Sequence, residues 1–289
     1  LSISNKESCK FYGQFGDRVV LARELTLPMI EELITAIKQE EIRGKSGNLL
    51  EVEIFIHGAM CVAVSGRCWM SLYTHNSSAN RGACKQNCRK PYTVIDQETG
   101  KALDVDNEYI MSPEDLCTID FLDQVVATGV KSLKIEGRGR SPEYVSTVIR
   151  VYREALTAIA TKTYTPEAIS LWKKDLESVY NRGLSDGYFF GRHQEHWSKQ
   201  PGSKATYEKF FVGTIRKYYA KAEVCEVLLQ DNSLQQEDRY SIVGPTTGVQ
   251  MGVAEEMQFH EEHGEKLITL KVAERVRRGD KLFVLRERN

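Results

Sequence analysis

The chain has 289 residues, of which 41% are hydrophobic, enough for a sizeable core in one large domain or two smaller ones. Its 39 basic and 40 acidic residues leave a formal net charge of −1, so any contact with a polyanion has to come from a local patch. No run reaches the roughly 18 consecutive apolar residues of a membrane span, so no membrane partner is expected.

Leu1 is not a start methionine, and LSIS reads like the interior of a strand, so the chain is expected to begin inside a domain. Residues 17–22 (DRVVLA) read as a short buried strand with Arg23 and Glu24 at its C-terminal end. Thr26 and Pro28 then open a helix to about Gln39, with Ile30, Leu33, Ile34 and Ile37 on one face. Residues 50–56 (LEVEIFI) alternate as a strand that ends at His57 and Gly58. A cysteine loop follows over 57–91, then a candidate strand at 92–95 and a turn at 97–101. Ser112, Pro113, Glu114 and Asp115 predict a helix start, with the helix over 116–127 and a stop at Gly129. Residues 131–135 are the next strand, and Ser141-Pro142-Glu143 opens a long helix to about Ala160. Strand and helix alternate at the spacing of βα units, which predicts an α/β, partial TIM-barrel-like domain over 1–188. Residues 189–206 read as a linker, and 207–289 as a small all-β barrel domain with strands at 210–215, 222–229, 239–243, 266–272 and 281–285.

Four of the seven cysteines, Cys61, Cys68, Cys84 and Cys88, fall in one stretch with the spacing C-x6-C-x15-C-x3-C. Thiols grouped in this way usually share a partner, since the thiolate is the metal-binding form. A disulfide framework fits a short secreted chain better than this one. Structural zinc favours tight pairs such as C-x2-C, which are missing here. A 4Fe-4S cluster accepts looser spacing because a cubane offers four corners to several loops. Cluster, zinc and no metal therefore all remain open on spacing, and the four sulfurs are expected to converge on one centre. A reducing cytoplasm is the expected compartment.

Between His57 and Pro91 there is no Asp or Glu, while Arg67, Arg81, Lys85, Arg89 and Lys90 are all present. These cations would lower thiol pKa values and offset the charge of a thiolate site. They would equally suit RNA phosphates, or simply form a solvated basic loop. Trp69, Tyr73 and Phe11 offer stacking surfaces or ordinary packing. Cys9, Cys117 and Cys225 read as small core residues.

In an α/β barrel chemistry sits at the C-terminal ends of strands. Arg23, Lys134, Arg138 and Arg140 near those ends would clamp a small carboxylated metabolite. Glu136 and His57 are the acid/base candidates, with Glu24 as a further orienting group. A structural ion pair at the rim is the alternative for each. His193 and His196 read as surface residues of the linker. No GxSxG, HExxH or Walker pattern is present.

The segment EIFIHGAMCVAVSGRCWMS resembles the signature of the collagenase-like peptidases, the unknown-type peptidase family 32. It supplies Glu53, Phe55, Gly58, Ala59, Cys61, Gly66, Cys68 and Ser71. NRGACKQNCRKPY and SLKIEGRGRSPEYV are similar to later blocks of that family. The family name implies proteolysis. Its better understood branches instead imply hydroxylation of RNA or of ubiquinone precursors. One branch makes 5-hydroxyuridine at the tRNA wobble position using prephenate; another hydroxylates a cytidine of large-subunit ribosomal RNA. The resemblance carries Cys61, Cys68, Cys84 and Cys88 over as iron–sulfur ligands and implies tRNA as a partner. The β-domain is similar to the one attached to the tRNA-acting branch. The opening residues resemble the middle of the family's barrel, so about the first third of a family member is expected to be missing.

Overall fold

The computed structural model describes residues 2–65, 67–102, 111–191, 197–199, 202–230 and 234–288. They form two compact units: Leu1–Arg138, Val148–Leu176 and Asn181–Lys204 in the first, and Gly139–Thr147, Glu177–Tyr180 and Ala205–Asn289 in the second. No helix among the described residues is long and apolar enough to cross a membrane.

The first unit opens with helix α1 (Lys6–Gly13), whose N-cap Asn5 accepts from Ser8 N in a capping box. Strand β1 (Arg18–Val20) follows, then helix α2 (Leu27–Gln39), capped by Thr26 with Pro28 in its first turn. Ile30, Leu33, Ile34 and Ile37 of α2 are all buried, as their helical spacing predicts. Strand β2 (Glu51–Ala59) is central: it pairs parallel with β1 and with β4 (Ser132–Ile135), and antiparallel with β3 (Asp115–Cys117). β3 in turn pairs parallel with β5 (Leu184–Ser185). Val52, Ile54 and Ile56 of β2 are buried, whereas Glu51, Glu53 and Phe55 are only partly so. The alternation then fails at a bulge, where Phe55 faces Lys134 and His57 faces Ile135 across the ladder. Helices α3 (Met70–His75), α4 (Leu122–Ala127), α5 (Pro142–Thr161) and α6 (Pro166–Ser178) complete the helical set. Val148, Val151, Tyr152 and Ala155 of α5 and Trp172 and Leu176 of α6 are buried.

Several expectations are corrected here. The first unit is a mixed α/β sheet, and among the described residues it is not a closed or all-parallel barrel, because β3 runs against β2. The helix expected from Leu116 starts only at Leu122. Asp115, Leu116 and Cys117 are each buried, and pairing with two neighbouring strands outweighs the local helix-start signal of Ser112-Pro113-Glu114. Residues 92–95 are not a strand; Ile95 makes a single bridge to Ala102 around an Asp96 turn.

The second unit is a seven-stranded sheet in the order β10-β11-β7-β6-β12-β8-β9. Its strands are β6 (Tyr207–Tyr219), β7 (Val224–Leu229), β8 (Arg239–Gly244), β9 (Gly248–Val253), β10 (Met257–Glu262), β11 (Glu265–Lys271) and β12 (Lys281–Glu287). The long β6 pairs with β12 and with β7, and bulges in both ladders bend the sheet over its own core. Val212, Ile215, Cys225, Val227, Ile242, Ile268, Leu270, Leu282 and Val284 fill that core. Tyr240 on β8 donates to the Lys271 carbonyl at 3.5 Å, so distant strands meet across it. A closed barrel was expected, but β9 and β10 end the sheet unpaired with each other among the described residues. The start of α5 belongs to this unit: Glu143 Oε1 accepts from Lys209 Nζ at 2.8 Å and from Ser241 Oγ at 3.0 Å.

Ile56, 1% exposed in the middle of β2, is the sharpest test of the first core. Ile56→Ala is expected to destabilise the chain by about 2–5 kcal/mol in denaturant unfolding, since it leaves a cavity that neighbouring strands cannot close.

Candidate functional site

One cavity of about 730 Å3 lies within the first unit. Its walls are Arg18–Val20 of β1 with Leu21 after it, Tyr12 and Phe15 around the end of α1, Phe55 of β2, and the cysteine segment. Cys61, Cys68, Cys84 and Cys88 all line it, and so do Arg23 and Arg138. No Asp, Glu or His is among its lining residues. All seven cysteines are free thiols; Cys61 and Cys84 are exposed, and Cys68 and Cys88 are half-buried. The Cys88 thiol is pushed up from its ordinary value by burial, against the pull of the Arg89 guanidinium. The thiolates of Cys61, Cys84 and Cys68 add to that rise, so the four sulfurs feel one another. Among the described residues no group of three or more His, Cys, Asp or Glu stands at metal-binding distance, so the cysteines ring the cavity without meeting at a point.

The donor set matches a soft centre. Four sulfurs with no carboxylate or imidazole in the same wall suit iron–sulfur or zinc chemistry, and the arginines there would offset thiolate charge. Cys61, Cys68, Cys84 and Cys88 are the residues that would hold such a group, which would need the segment to draw in.

Side-chain tethers position this segment. Glu24 Oε1 accepts from Ser65 N at 2.8 Å and from Ser65 Oγ at 3.0 Å. Ser71 Oγ accepts from Lys85 N at 2.9 Å, which ties α3 to the Cys84–Cys88 turn. Asn87 Nδ2 donates to the Met70 carbonyl at 3.2 Å, and the Tyr92 hydroxyl donates to the Asn87 carbonyl at 2.8 Å. Gln86 takes a left-handed conformation, φ 53°, to make that turn.

The expected substrate-binding residues are divided. Arg23 lies 2.9 Å from Glu136 Oε2, donates to the Ala59 carbonyl, and stacks on Phe55 with its guanidinium 3.9 Å from the ring centre. Glu136 Oε1 accepts from Arg138 N at 3.1 Å. The Arg138 guanidinium borders the cavity with no hydrogen-bonding or ionic partner among the described residues. Lys134 does not line the cavity; its ammonium lies 3.3 Å from Glu53. Arg140 belongs to the second unit, where it stacks on Tyr180 at 4.0 Å. His57, 2% exposed, is neither at a strand end nor in the cavity wall: its Nδ1 is 3.3 Å from the Tyr152 hydroxyl. That bulge-directed packing corrects the reading of His57 as a rim acid/base group. His193 and His196 lie outside the described residues.

The cations of the cysteine segment also divide. Arg67, Arg81, Lys85 and Lys90 are exposed and have no carboxylate partner among the described residues. Arg89 differs from the expectation of a phosphate contact: it is half-buried and donates to the Ser112 hydroxyl and to the Pro113 and Met60 carbonyls. Sequence reading missed two contributors, Ser65 and Arg18, and named Phe55 only within the family signature. Phe55 and Arg18 were legible only as strand residues, and nothing in the residue pattern marks Ser65 as the Glu24 partner.

The protein-family model described as Peptidase family U32 matches residues 1–199. The chain belongs to that family. It is 46% identical to a collagenase of Porphyromonas gingivalis, over 98% of this chain and 70% of that protein. It is 34% identical to tRNA hydroxylation protein P1 of Bacillus subtilis, over 84% of this chain and 56% of that protein. Over 72% of this chain and 53% of that protein it is 29% identical to tRNA hydroxylation protein P of Escherichia coli. Thus the U32 chain shares its residues with relatives named for two different chemistries.

If Glu24 anchors the cysteine segment, Glu24→Ala should speed amide exchange and proteolytic nicking around Ser65 several-fold. Protection of α2 should be unchanged. Equal protection of the segment in both proteins would remove Glu24 from that role.

Proposed function

We propose that this chain is the catalytic portion of an iron–sulfur-dependent tRNA hydroxylation enzyme. It would form 5-hydroxyuridine at the wobble position, with prephenate as donor, in the cytoplasm. The observation that carries this reading is the single cavity walled by four cysteines and by arginines, with no acidic residue in its lining. A bound 4Fe-4S cluster would supply electron transfer or a Lewis-acidic iron to the donor. The chain's own residues do the rest. Arg138 presents an unpartnered guanidinium to a carboxylate at the cavity wall. Arg23 is held in place by Glu136 and Phe55, so its charge is already oriented. Tyr12, Phe15 and Phe55 give the cavity apolar surface against which a ring-bearing ligand can pack. Outside the cavity, Arg67, Arg81, Lys85 and Lys90 suit RNA phosphates. Trp69 and Tyr73, 68% and 92% exposed, offer faces on which unpaired bases can stack.

A peptidase reading is favoured by one finding, the collagenase name of a relative 46% identical to this chain. Covalent proteolysis needs a nucleophile beside a base. Among the described residues no sulfur of Cys61, Cys68, Cys84 or Cys88 is hydrogen-bonded to an imidazole, which weighs toward hydroxylation. A zinc-holding binding scaffold is the third outcome the test must separate.

The deciding experiment is anaerobic purification of the full-length protein with iron, sulfide and zinc analysis, paired with nucleoside mass spectrometry of tRNA from a deletion strain. Expected are iron and sulfide in the protein, and loss of 5-hydroxyuridine derivatives that the wild-type gene restores and Cys61→Ala does not. Zinc alone would support the scaffold. An unchanged nucleoside profile with gelatin cleavage by the pure protein would establish the peptidase.

Arg138 gives a separate readout. Arg138→Ala is expected to weaken prephenate binding about tenfold by calorimetry, the scale of one lost charge-assisted contact. Unchanged affinity would make Arg138 a bystander of the cavity.

A further inference from the structure

We propose that the connection between β11 and β12 is a phosphate-binding tip of the second unit, in which Arg275, Arg277, Arg278 and Lys281 contact the sugar–phosphate backbone of RNA. The inference rests on the RNA part of the function proposed above, and not on the cysteines, a metal or the donor.

Residues 275–281 (RVRRGDK) place four cations in seven residues. All four are exposed, whereas Val276, between Arg275 and Arg277, is 1% exposed and belongs to the core. The one acid of this run, Asp280, is itself buried and turned to structural use. Its Oδ2 accepts from Arg277 N at 2.7 Å and from the Thr247 hydroxyl, in the turn between β8 and β9. Arg277 Nη1 also donates to Thr247 Oγ1 at 3.3 Å, and Gln250 Nε2 of β9 donates to the Arg275 carbonyl at 3.3 Å. The Gly279 amide donates to the Ile215 carbonyl of β6 at 2.8 Å, and the Ile215 amide donates to the Asp280 carbonyl at 2.8 Å. Gly244 lets Asp280 come close, since a Cβ there would stand 1.8 Å from Asp280 Oδ1. Two turns and β6 are thereby locked together at one end of the sheet, and the backbone that carries the cations is set before a ligand arrives.

Ion pairing separates this tip from the rest of the unit. Arg216 meets Glu226, Glu262 and Glu265, Lys271 meets Glu256, Arg286 meets Asp238, and Arg288 meets Glu208. By contrast, Arg275, Arg277, Arg278 and Lys281 have no carboxylate within ion-pair distance among the described residues. Glu274, exposed beside Arg275 in the chain, offsets only part of their charge. Three of the four are guanidiniums, whose planar forks fit two phosphate oxygens at once. An anionic membrane would attract the same charges, but an element that lies on a membrane also inserts apolar side chains. Here the apolar side chain of the run, Val276, is spent on the core. Fixed, unpaired guanidiniums without an exposed apolar companion match the phosphates of a nucleic acid.

The test uses the full-length protein and an unmodified tRNA transcript, with affinity measured by fluorescence anisotropy between about 50 and 200 mM salt. The tip variant carries Arg275→Gln, Arg278→Gln and Lys281→Gln, and leaves Arg277 on Thr247. A control carries Lys217→Gln, Lys221→Gln and Lys266→Gln, which removes the same charge from exposed positions outside the tip. The tip variant should bind about tenfold more weakly at the lowest salt, and its slope of log affinity against log salt should be shallower by about two to three, at roughly 0.7–0.9 per lost phosphate contact. The control should keep the wild-type slope. A tip variant with the wild-type slope, or a control that loses as much, would overturn the proposal. Should the tip variant not fold, Arg278→Gln alone decides: its slope should fall by about one, and an unchanged slope overturns the proposal. Vesicles of phosphatidylglycerol and phosphatidylcholine are the second probe; a tip variant that loses vesicle binding and keeps tRNA binding makes the tip a membrane contact and overturns the RNA assignment. The assay needs neither cluster nor donor, so tip-dependent tRNA binding stands even where the protein holds no iron. A wild-type protein that binds tRNA without using the tip leaves the hydroxylation reading intact while the tip proposal falls, and one that binds no tRNA ends both.

Discussion

One extra residue in β2 sets the geometry of the site. Up to Phe55 the strand alternates, with Val52 and Ile54 buried and Glu53 and Phe55 on the other face. The bulge against β4 then breaks the period. Ile56 and His57 are both buried, and the His57 ring meets Tyr152 of α5. Without the bulge His57 would share the face of Phe55, and an imidazole would stand in the cavity wall. With it, the wall beside the cysteines is an aromatic ring with Arg23 lying over it. The strand continues through Gly58 and Ala59 to pair with β3, which delivers the chain to Cys61. The bulge thus keeps the His57 imidazole out of the wall that holds the four cysteines.

The same selection of charge runs through the surroundings. Glu24 and Glu136 stand close to the cavity but do not line it; each is engaged, one with Ser65 and the other with Arg23 and the Arg138 amide. Carboxylates here work as struts, fixing a loop or a guanidinium, while the charges left facing the cavity are positive. Burial raises the Cys88 thiol first of all, and the other three cysteines add to that rise. Arg89 pulls the Cys88 thiol the other way, and arginine, with no lone pair to offer, adds positive charge without adding a further ligand.

How much of this was legible in the sequence depends on how local the cause was. The α2 helix was legible to within a residue, because Thr26, Pro28 and an i, i+3, i+4 apolar stripe all act within the element. So were β4 and α5, and β1 to within two residues. Residues 115–117 were misread as helix because their strand character comes from neighbours far along the chain. β9 and β10 were invisible for the opposite reason: as sheet edges they are largely exposed, so GVQMGV and MQFHEE carry no apolar alternation to read. In the site, the cysteines were legible by spacing and the missing acids by composition. The paired Arg23 and Glu136 were legible from their strand ends. His57 and Arg89 were not, since a bulge and three carbonyl or hydroxyl partners leave no mark on residue type.

The cysteine segment itself explains why its donors are placed by tethers and not by a sheet. A span of this length with only a short helix and two single turns would lose much freedom on folding. Hydrogen bonds from Ser65 to Glu24, Lys85 to Ser71, Asn87 to Met70, Tyr92 to Asn87 and Arg89 to Met60 divide it into closed loops. Each tether has an end within a few residues of a cysteine. Sulfurs carried on strands would be fixed at strand spacing. Sulfurs carried on tethered loops keep their neighbours constant while their mutual distances can contract. That is the mechanical property a four-thiol site needs if its ligands are to stand apart around a cavity and still close on a shared centre.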